Sequence, residues 1–151
     1  MRIVIQRVKS SSVEVDGLIT GSIDQGLLVL LGIEAEDDQS DIDYLVKKLN
    51  GLRIFNDEEG KMNDSIHDIK GSFLVVSQFT LYANTNKGNR PSYIKSAYPV
   101  IAVPLYEDFL SSLKQVSALK VAAGIFGADM KVSLINDGPV TIIMDSKDRN
   151  L

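Results

Sequence analysis

The sequence contains no cysteine and one histidine among its 151 residues, and this excludes several kinds of catalytic site. Without cysteine there is neither a disulfide framework nor a thiolate nucleophile, and cysteine-based zinc sites are impossible. The single histidine, His67, lies in the polar stretch NDSIHDIK and is interpreted as a solvated loop residue. A serine triad would have to use His67, and a zinc site built on several histidines is excluded.

Sequence signals for cofactors are also missing. Neither a Walker A sequence nor a G-x-G-x-x-G fingerprint occurs, so no nucleotide cofactor is expected. The acidic runs EAEDDQSD and NDEEG are typical of solvated surfaces rather than of a magnesium site. We therefore predict a protein that uses no metal and no other cofactor.

Long hydrophobic runs and an excess of positive charge are absent as well. The longest apolar run, residues 27–31, is far shorter than a membrane-spanning helix, and the start MRIVIQRV lacks the apolar core of a signal peptide. These features predict a cytoplasmic protein that does not contact a membrane. The net charge of −4 weighs against a general nucleic-acid coat protein but is compatible with a small basic patch.

The composition that is present is that of an ordinary globular protein, with 44% hydrophobic and 24% charged residues. The length predicts one domain over residues 1–151. Apolar patterns predict strands at residues 1–8, 11–15, 18–23, 26–33, 52–55, 73–78, 119–123, 131–135 and 140–144. Because the strands are not separated by regular helical crossovers, we predict an α+β fold with a mostly antiparallel, curled, barrel-like sheet and two helices.

Both helices are predicted from their apolar spacing. Ser40 and Asp43 resemble a capping box at the start of the first helix, and Asn50-Gly51 is typical of its end. Its inward face is predicted to contain Ile42, Leu45, Val46, Leu49 and Leu52. Residues 83–100 are predicted to be a loop, after which Pro104 suits the first turn of the second helix. The inward side chains of that helix are predicted to be Leu105, Phe109, Leu110, Leu113 and Val116.

Three polar or irregular segments are candidates for chemistry. Residues 77–80, Ser-Gln-Phe-Thr, end a buried strand, and on their own they are best explained as groups that satisfy backbone hydrogen bonds. Residues 84–92 form either a solvated loop or a grip on phosphate. The segment NDGPVT lies between two predicted strands, so it predicts a turn and raises the question of whether that turn also carries chemistry.

Taken together, six segments resemble a known family. MRIVIQRV, GLLVLLGI, SQFTL, KGNRPS, FGADM and NDGPVT follow one another across the chain as in the D-aminoacyl-tRNA deacylases, also called D-tyrosyl-tRNA deacylases. SQFTL and NDGPVT are the two signature motifs of that family. The resemblance implies an editing hydrolase that cleaves D-amino acids, and mischarged glycine, from the 3′ end of tRNA while rejecting L-aminoacyl-tRNA. It also implies a homodimer in which the Gly-Pro motif of one subunit, with a cis peptide bond, completes the active site of the other.

The resemblance assigns roles to individual residues. It implies that the catalytic pocket is lined by Ser77, Gln78, Phe79 and Thr80, with Phe126 and Met130 as a further wall. It also implies that Gly138 and Pro139 reach into the pocket of the other subunit as a probe, and that Arg7 holds this probe in place. Packing in the core explains Phe126 and Met130 equally well. We predict Lys87 and Arg90 as contacts to tRNA phosphate, with Lys95 as a further candidate.

The missing catalytic residues are consistent with such a reaction. The ribose 2′-OH next to the ester is already a reactive group, so a protein that positions the ester, orients water and offers oxyanion donors needs neither histidine nor metal. Backbone N–H groups around Phe79 and Thr80 are candidate donors. Because Thr80 lacks a visible general base, we predict that it positions the substrate rather than attacks it, and that the RNA assists catalysis.

Three other functions stay open. One is a related editing enzyme with a trans Gly-Pro bond that removes L-alanine from tRNA(Thr). The second is a non-catalytic RNA-binding or dimeric interaction module. The third is a serine or threonine esterase that acts on small esters without RNA.

Overall fold

Eight strands and two α-helices make up the computed structural model, which describes residues 1–149. The strands are β1 Arg2–Val15, β2 Leu18–Ile23, β3 Gly26–Gly32, β4 Phe55–Asn56, β5 Met62–Asp64, β6 Ser72–Ser77, β7 Val121–Ala123 and β8 Lys131–Asp145. The helices are α1 Gln39–Gly51 and α2 Pro99–Ser117, and a 3-10 helix covers Phe79–Tyr82. The predicted α+β fold with two helices is therefore confirmed.

The main sheet is mixed and curled. Its order is β2-β1-β3-β6-β7, and β8 pairs with β1 outside that path. The β1 pairings are antiparallel, whereas β3 with β6 and β6 with β7 are parallel because α1 and α2 lie in the connections between them. The two ends of the sheet approach each other so closely that a Cβ on Gly21 of β2 would lie 2.6 Å from the Ala123 carbonyl oxygen of β7. The sheet thus forms a nearly closed barrel.

The central strands β3 and β6 are buried on both faces. Val29 and Val75 belong to the core cluster that contains the inward residues of α1 and α2. Leu28 and Leu74, their neighbours along the chain, belong to a second cluster inside the curl of the sheet. The uninterrupted apolar runs of the sequence predicted this two-sided burial, and it is confirmed.

Helix α1 begins two residues earlier than predicted. Its N-cap is Asp38, whose carboxylate accepts a hydrogen bond of 2.8 Å from the Ser40 N–H. The Asp38 N–H donates in return to the Asp41 carboxylate at 2.9 Å. The predicted Ser40–Asp43 capping box is therefore wrong: the Asp38–Asp41 pair has the same three-residue spacing and forms the box instead.

The ends of the helices also differ from the predictions. Gly51 is still helical, and the C-cap of α1 is Leu52 in an extended conformation, so the predicted Asn50-Gly51 cap is wrong. Helix α2 begins at Pro99 rather than near Pro104, which lies inside the helix with an exposed side chain. The buried residues of α2 are Ala102, Tyr106, Phe109, Leu113 and Ser117. Val116 lies outside this face and is 59% exposed, so its predicted inward position is wrong.

The segment NDGPVT is not a hairpin turn. Strand β8 continues on both sides of it, and both halves pair antiparallel with β1. Val8 of β1 pairs with Asn136 and Gln6 pairs with Thr141, so residues 137–140 bulge out opposite Arg7. We call residues 137–140 the excursion. The predicted strands at 1–8 and 11–15 likewise merge into β1, and the remaining strand bounds shift by a few residues.

No helix within residues 1–149 combines the length and the hydrophobicity that crossing a bilayer requires.

Candidate active site

A pocket of about 260 Å³ opens where the parallel strands β3 and β6 end. Its walls come from the ends of these strands, from the segment after β7 and from the start of α2. The lining residues are Leu31, Ile33, Val76, Ser77, Gln78, Phe79, Ala97, Ala102, Phe126, Gly127, Ala128, Asp129, Met130 and Val132. Small-molecule pockets begin at roughly 300 Å³, so this one has the size for an aminoacyl group rather than for a nucleotide chain.

The SQFT segment forms one wall of the pocket. Strand β6 ends at Ser77, and the Gln78 N–H donates to the Leu31 carbonyl oxygen at 2.8 Å, which ties this wall to β3. Phe79 then begins the 3-10 helix and remains 55% exposed. The structure thus places three of the predicted residues, Ser77, Gln78 and Phe79, side by side on the pocket wall.

Thr80 acts on the pocket through its neighbour. It is not among the lining residues in the described part of the chain, and its Oγ1 accepts a hydrogen bond from the Gln78 side-chain amide. The first hydrogen bond within the 3-10 helix is donated by Leu81 N–H to the Gln78 carbonyl oxygen. The backbone N–H groups of Phe79 and Thr80 precede it and have no partner within residues 1–149. They are therefore available to a ligand.

Phe126 and Met130 line the pocket and pack against the core at the same time. The Phe126 ring centroid lies 5.6 Å from that of Tyr106, which is buried in α2. Burial raises the pKa of Tyr106 to about 12, so its hydroxyl stays neutral and donates to the Val75 carbonyl oxygen at 3.1 Å. Met130 approaches Gly124 so closely that a Cβ there would lie 2.5 Å from the Met130 sulfur. Phe126 and Met130 are therefore both part of the pocket wall and part of the packing around the core.

The pocket wall contains little ionisable chemistry. Asp129 is the one titratable side chain among the lining residues described here, and it forms an exposed ion pair with Lys131 at 2.8 Å. His67 is exposed in the turn after β5, and its Nε2 lies 2.8 Å from the amide oxygen of Asn50 near the end of α1. Within residues 1–149 no group of three acidic or histidine side chains is arranged to hold a metal ion. The wall therefore offers hydrogen-bond donors rather than an obvious general base.

Gly138 and Pro139 lie outside this pocket. Both are exposed on the excursion, and the peptide bond between them is cis. Arg7, only 6% exposed, donates from Nε to the Asp137 carbonyl oxygen at 2.9 Å and from Nη1 to the Ile54 carbonyl oxygen at 2.6 Å. The excursion is thus fastened to the body of the protein through one buried guanidinium.

Position 138 strongly favours glycine. Its φ of +134° lies in a region that side chains rarely adopt, and a Cβ there would lie 3.0 Å from Nη2 of Arg7. Glycine therefore allows the backbone of the excursion to pass directly over the guanidinium that holds it.

With the pocket and the excursion defined, comparison with known proteins decides the family. The model of the D-Tyr-tRNA(Tyr) deacylase family matches residues 4–145. The chain belongs to this family. Among similar deacylases, the D-aminoacyl-tRNA deacylase of Flavobacterium johnsoniae is 58% identical and that of Bacteroides thetaiotaomicron 57% identical, each over 149 residues and 99% of both chains.

Two solved structures are similar to this chain in fold. A protein described as the c-Myc DNA unwinding element binding protein is 40% identical, with a TM-score of 0.90 over 96% of this chain and 98% of its own. A probable eukaryotic D-amino acid tRNA deacylase has a TM-score of 0.81 over 95% of this chain and 97% of its own. At 16% identity, the second likeness shows the fold alone.

SQFTL and NDGPVT, two of the motifs on which the resemblance rests, are separated in the structure. SQFTL forms the pocket wall, whereas NDGPVT contains the excursion and contributes nothing to the described lining. Arg7 lies with the excursion rather than with the pocket. The structure of a single chain therefore brings together Ser77, Gln78, Phe79, Phe126 and Met130, and it leaves Gly138, Pro139 and Arg7 elsewhere.

Lys87 and Arg90 lie in an exposed loop that is closed at its base by two backbone hydrogen bonds between Asn84 and Ser92, of 2.8 and 2.9 Å. Neither side chain lines the pocket. Lys95, on the segment that follows, lines a separate polar cleft. None of these three cations is among the described residues that line the candidate site.

Sequence reasoning missed the pocket wall at the start of α2. Ala97 and Ala102 both line the pocket. Ala97 lies in the predicted loop at residues 83–100, and Ala102 lies before the predicted start of the second helix near Pro104, whereas that helix begins at Pro99. The spacing of residues 102, 106, 109 and 113 is helical and would have placed Ala102 on the inward face. The predicted start of the helix is too late because proline usually occurs in the first turn of a helix, and Pro104 is assigned to that position.

Proposed function

We propose that this protein is a D-aminoacyl-tRNA deacylase. It hydrolyses the ester between a D-amino acid and the 3′ end of tRNA, and it releases the free amino acid and the tRNA. The observation that carries the proposal is that the family's SQFTL motif forms the wall of a pocket of aminoacyl size. One domain over residues 1–151 carries out the reaction in the cytoplasm, with no metal, cofactor or membrane.

The reaction uses backbone donors and the substrate's own ribose. The Phe79 and Thr80 N–H groups have no other partner within residues 1–149, so they stabilise the oxyanion that forms when water attacks the ester carbonyl. Gln78, fixed by its hydrogen bond to Thr80, orients the substrate. The 2′-OH of the terminal ribose assists proton transfer, which the described pocket wall has no evident base to perform.

A modified substrate tests the role of the RNA. D-Tyr-tRNA that ends in 2′-deoxyadenosine is compared with the ordinary substrate, and each enzymatic rate is divided by the spontaneous hydrolysis rate of the same ester. We expect the enhancement to fall strongly for the deoxy substrate while binding is retained. An equal enhancement for both would refute RNA assistance.

Selection against L-amino acids comes from the excursion of the partner subunit in a homodimer. Gly138 and Pro139 are exposed and stand apart from their own pocket. Apolar side chains on either side of the excursion are exposed too, Ile135 by 58% and Ile143 by 49%, as expected of a face that another copy covers. A rigid backbone at the pocket mouth rejects the L-enantiomer by steric clash. Glycine has no side chain to reject, so Gly-tRNA is hydrolysed as well.

Heterodimers distinguish a cross-subunit excursion from one that serves its own pocket. One chain carries Gln78→Ala and retains a normal excursion, while the other carries Gly138→Ala and retains a normal pocket. In the purified heterodimer, the working pocket faces the normal excursion only if the excursion crosses between subunits.

We expect this heterodimer to reject L-Tyr-tRNA, while the Gly138→Ala homodimer hydrolyses it. Hydrolysis of L-Tyr-tRNA by both the heterodimer and the Gly138→Ala homodimer would show that the excursion acts on the pocket of its own subunit. L-Ala-tRNA(Thr) is assayed in parallel, and its hydrolysis without activity on D-Tyr-tRNA would favour the related editing enzyme.

Local positive charge supplies the affinity for tRNA. Lys87 and Arg90 lie exposed in the loop at residues 84–92 and contact phosphates, so the affinity for tRNA falls as the salt concentration rises. The logarithm of the binding constant falls against the logarithm of the salt concentration with a slope of roughly 0.7 for each single-strand phosphate contacted. The Lys87→Ala, Arg90→Ala double variant should flatten the salt dependence. Lys61→Ala, which removes an exposed lysine paired with Glu59, is the matched control and should leave it unchanged. A salt-independent affinity of the unmodified protein would contradict this role.

A further inference from the structure

We propose that an exposed apolar surface beside the pocket binds the unpaired nucleotides that precede the terminal adenosine of tRNA. This surface consists of Tyr93, Ile94, Tyr98 and Val100, and we call it the rim platform. The proposal rests on the proposed function and adds to it a site for the single-stranded RNA next to the ester.

The rim platform is unusually exposed for its composition. Ile94 is 92%, Val100 81% and Tyr98 77% exposed, and all lie within eight consecutive residues that begin at Tyr93. Scattered apolar side chains at a surface need no explanation, but a group of this kind marks a binding surface. Neither the Tyr93 nor the Tyr98 hydroxyl has a hydrogen-bond partner in the described part of the chain. The Tyr98 ring is 77% exposed and can stack on a base, whereas Tyr93 is 36% exposed.

The rim platform begins at the mouth of the pocket. Tyr98 lies between Ala97 and Ala102, which both line the pocket, and it is the N-cap of α2. The Tyr93 ring packs edge-on against Phe79, with centroids 5.1 Å apart. Ser96 fastens the segment further, because its hydroxyl donates to the Phe79 carbonyl oxygen at 2.8 Å. A chain leaving the pocket past Phe79 therefore meets the tyrosines directly.

A cation and several amide groups next to the rim platform suit a nucleic acid strand. Lys95 lies between the two tyrosines in sequence and lines a polar cleft with Asn84 and Asn86. Three acidic and three basic side chains line this cleft, so Lys95 and the amides support the proposal rather than a net positive charge. Surfaces for single-stranded RNA combine aromatic rings that stack on bases with cations that contact the backbone. Amide groups in the cleft add donors and acceptors for base edges or sugars. With the aminoacyl group in the pocket and the terminal adenosine at its mouth, the preceding nucleotides would lie on this combination.

Two substrates of different length test the rim platform. One is D-Tyr-tRNA, and the other is the D-tyrosyl ester of adenosine alone, which ends before the platform. Removing a ring that stacks on one base costs about tenfold or more in binding. We therefore expect Tyr98→Ala to lower kcat/KM for D-Tyr-tRNA about tenfold through KM and to leave the adenosine ester unaffected.

Two further variants serve as controls. Tyr98→Phe retains the ring and should behave like the unmodified protein. Val116→Ala removes a similarly exposed apolar side chain at the other end of α2 and should have no effect on either substrate.

Several outcomes would overturn the proposal. An unchanged KM for D-Tyr-tRNA, or an equal loss on both substrates, would show that Tyr98 does not contact the additional nucleotides. A change in the sedimentation of Tyr98→Ala with unchanged KM would identify the surface as an interface between copies of the chain. Inactivity of the unmodified protein on both esters would refute the proposed function itself, whereas an active protein that tolerates Tyr98→Ala refutes the rim platform alone.

Discussion

Replacement of Arg7 by lysine is the sharpest test of how the excursion is held. The guanidinium donates in two directions, from Nε to the Asp137 carbonyl of the excursion and from Nη1 to the buried Ile54 carbonyl. Lysine retains the charge but has a single nitrogen on a flexible stem. It therefore keeps one of these two hydrogen bonds at most, and the connection between the excursion and the body is broken at one end.

The expected loss of stability follows from these contacts. A hydrogen bond to a charged group contributes about 1.5–3 kcal/mol. Arg7 is 6% exposed, so water does not replace the lost partner. We expect Arg7→Lys to lower the free energy of unfolding by about 2 kcal/mol. Arg53→Lys is the matched control because Arg53 donates to Asn63 at the surface, and a change within about 0.5 kcal/mol is expected there.

Urea unfolding and deacylation are measured on the same preparations. Because we propose that the excursion rejects L-amino acids, loosening it should lower the ratio of D-Tyr-tRNA to L-Tyr-tRNA hydrolysis together with the stability. If Arg7→Lys were as stable as Arg53→Lys, the two-carbonyl anchor would be wrong. A loss of stability with unchanged enantiomer selectivity would show that the Arg7 contacts stabilise the fold without contributing to the rejection of L-amino acids.

Three further predictions concern the excursion, the pocket and α1. Gly138→Ala should lower the free energy of unfolding by about 1–3 kcal/mol, measured in urea, and admit L-Tyr-tRNA, because alanine resists a φ of +134°. Thr80→Val should slow D-Tyr-tRNA hydrolysis without abolishing it, since Thr80 only fixes Gln78; complete loss of turnover with intact binding, or a trapped Thr80 acyl-enzyme, would contradict this. The Ser40 hydroxyl and N–H lower the pKa of Asp38, so its charged form stabilises α1 above about pH 4. The difference in Tm between the unmodified protein and Asp38→Ala should therefore decrease as the pH falls below 4. A difference in Tm that does not depend on pH would refute the contribution of the charge.

Patterns that depend on burial were predictable from the sequence. The uninterrupted apolar runs of β3 and β6 require two buried faces, and both cores exist. The helical spacing of Ile42, Leu45, Val46 and Leu49 likewise identified the inward face of α1. These features are local consequences of periodicity, which any correct fold has to satisfy.

Features that depend on distant pairing were not predictable. The parallel pairing of β3 with β6 is set by the helix between them, and a strand pattern alone does not reveal its partner. The same limit explains NDGPVT. A glycine and a proline between two strands fit a hairpin turn, and only the pairing of both halves with β1 shows that the chain continues past an excursion.

The candidate site was partly predictable, for a related reason. Resemblance located Ser77, Gln78, Phe79, Phe126 and Met130, which meet in one pocket although they lie almost fifty residues apart in sequence. Ala97 and Ala102 were not found, because a small apolar side chain carries no chemical signal and becomes part of a wall only through tertiary packing.

Enantiomer selectivity is the central claim, and one measurement tests it most directly. The same tRNA(Tyr) is charged with D-tyrosine or with L-tyrosine, and the purified protein is added to each at equal concentration. We expect hydrolysis of D-Tyr-tRNA well above its spontaneous rate, with L-Tyr-tRNA hydrolysed no faster than without protein. Equal rates for the two enantiomers, or no acceleration of either, would contradict it.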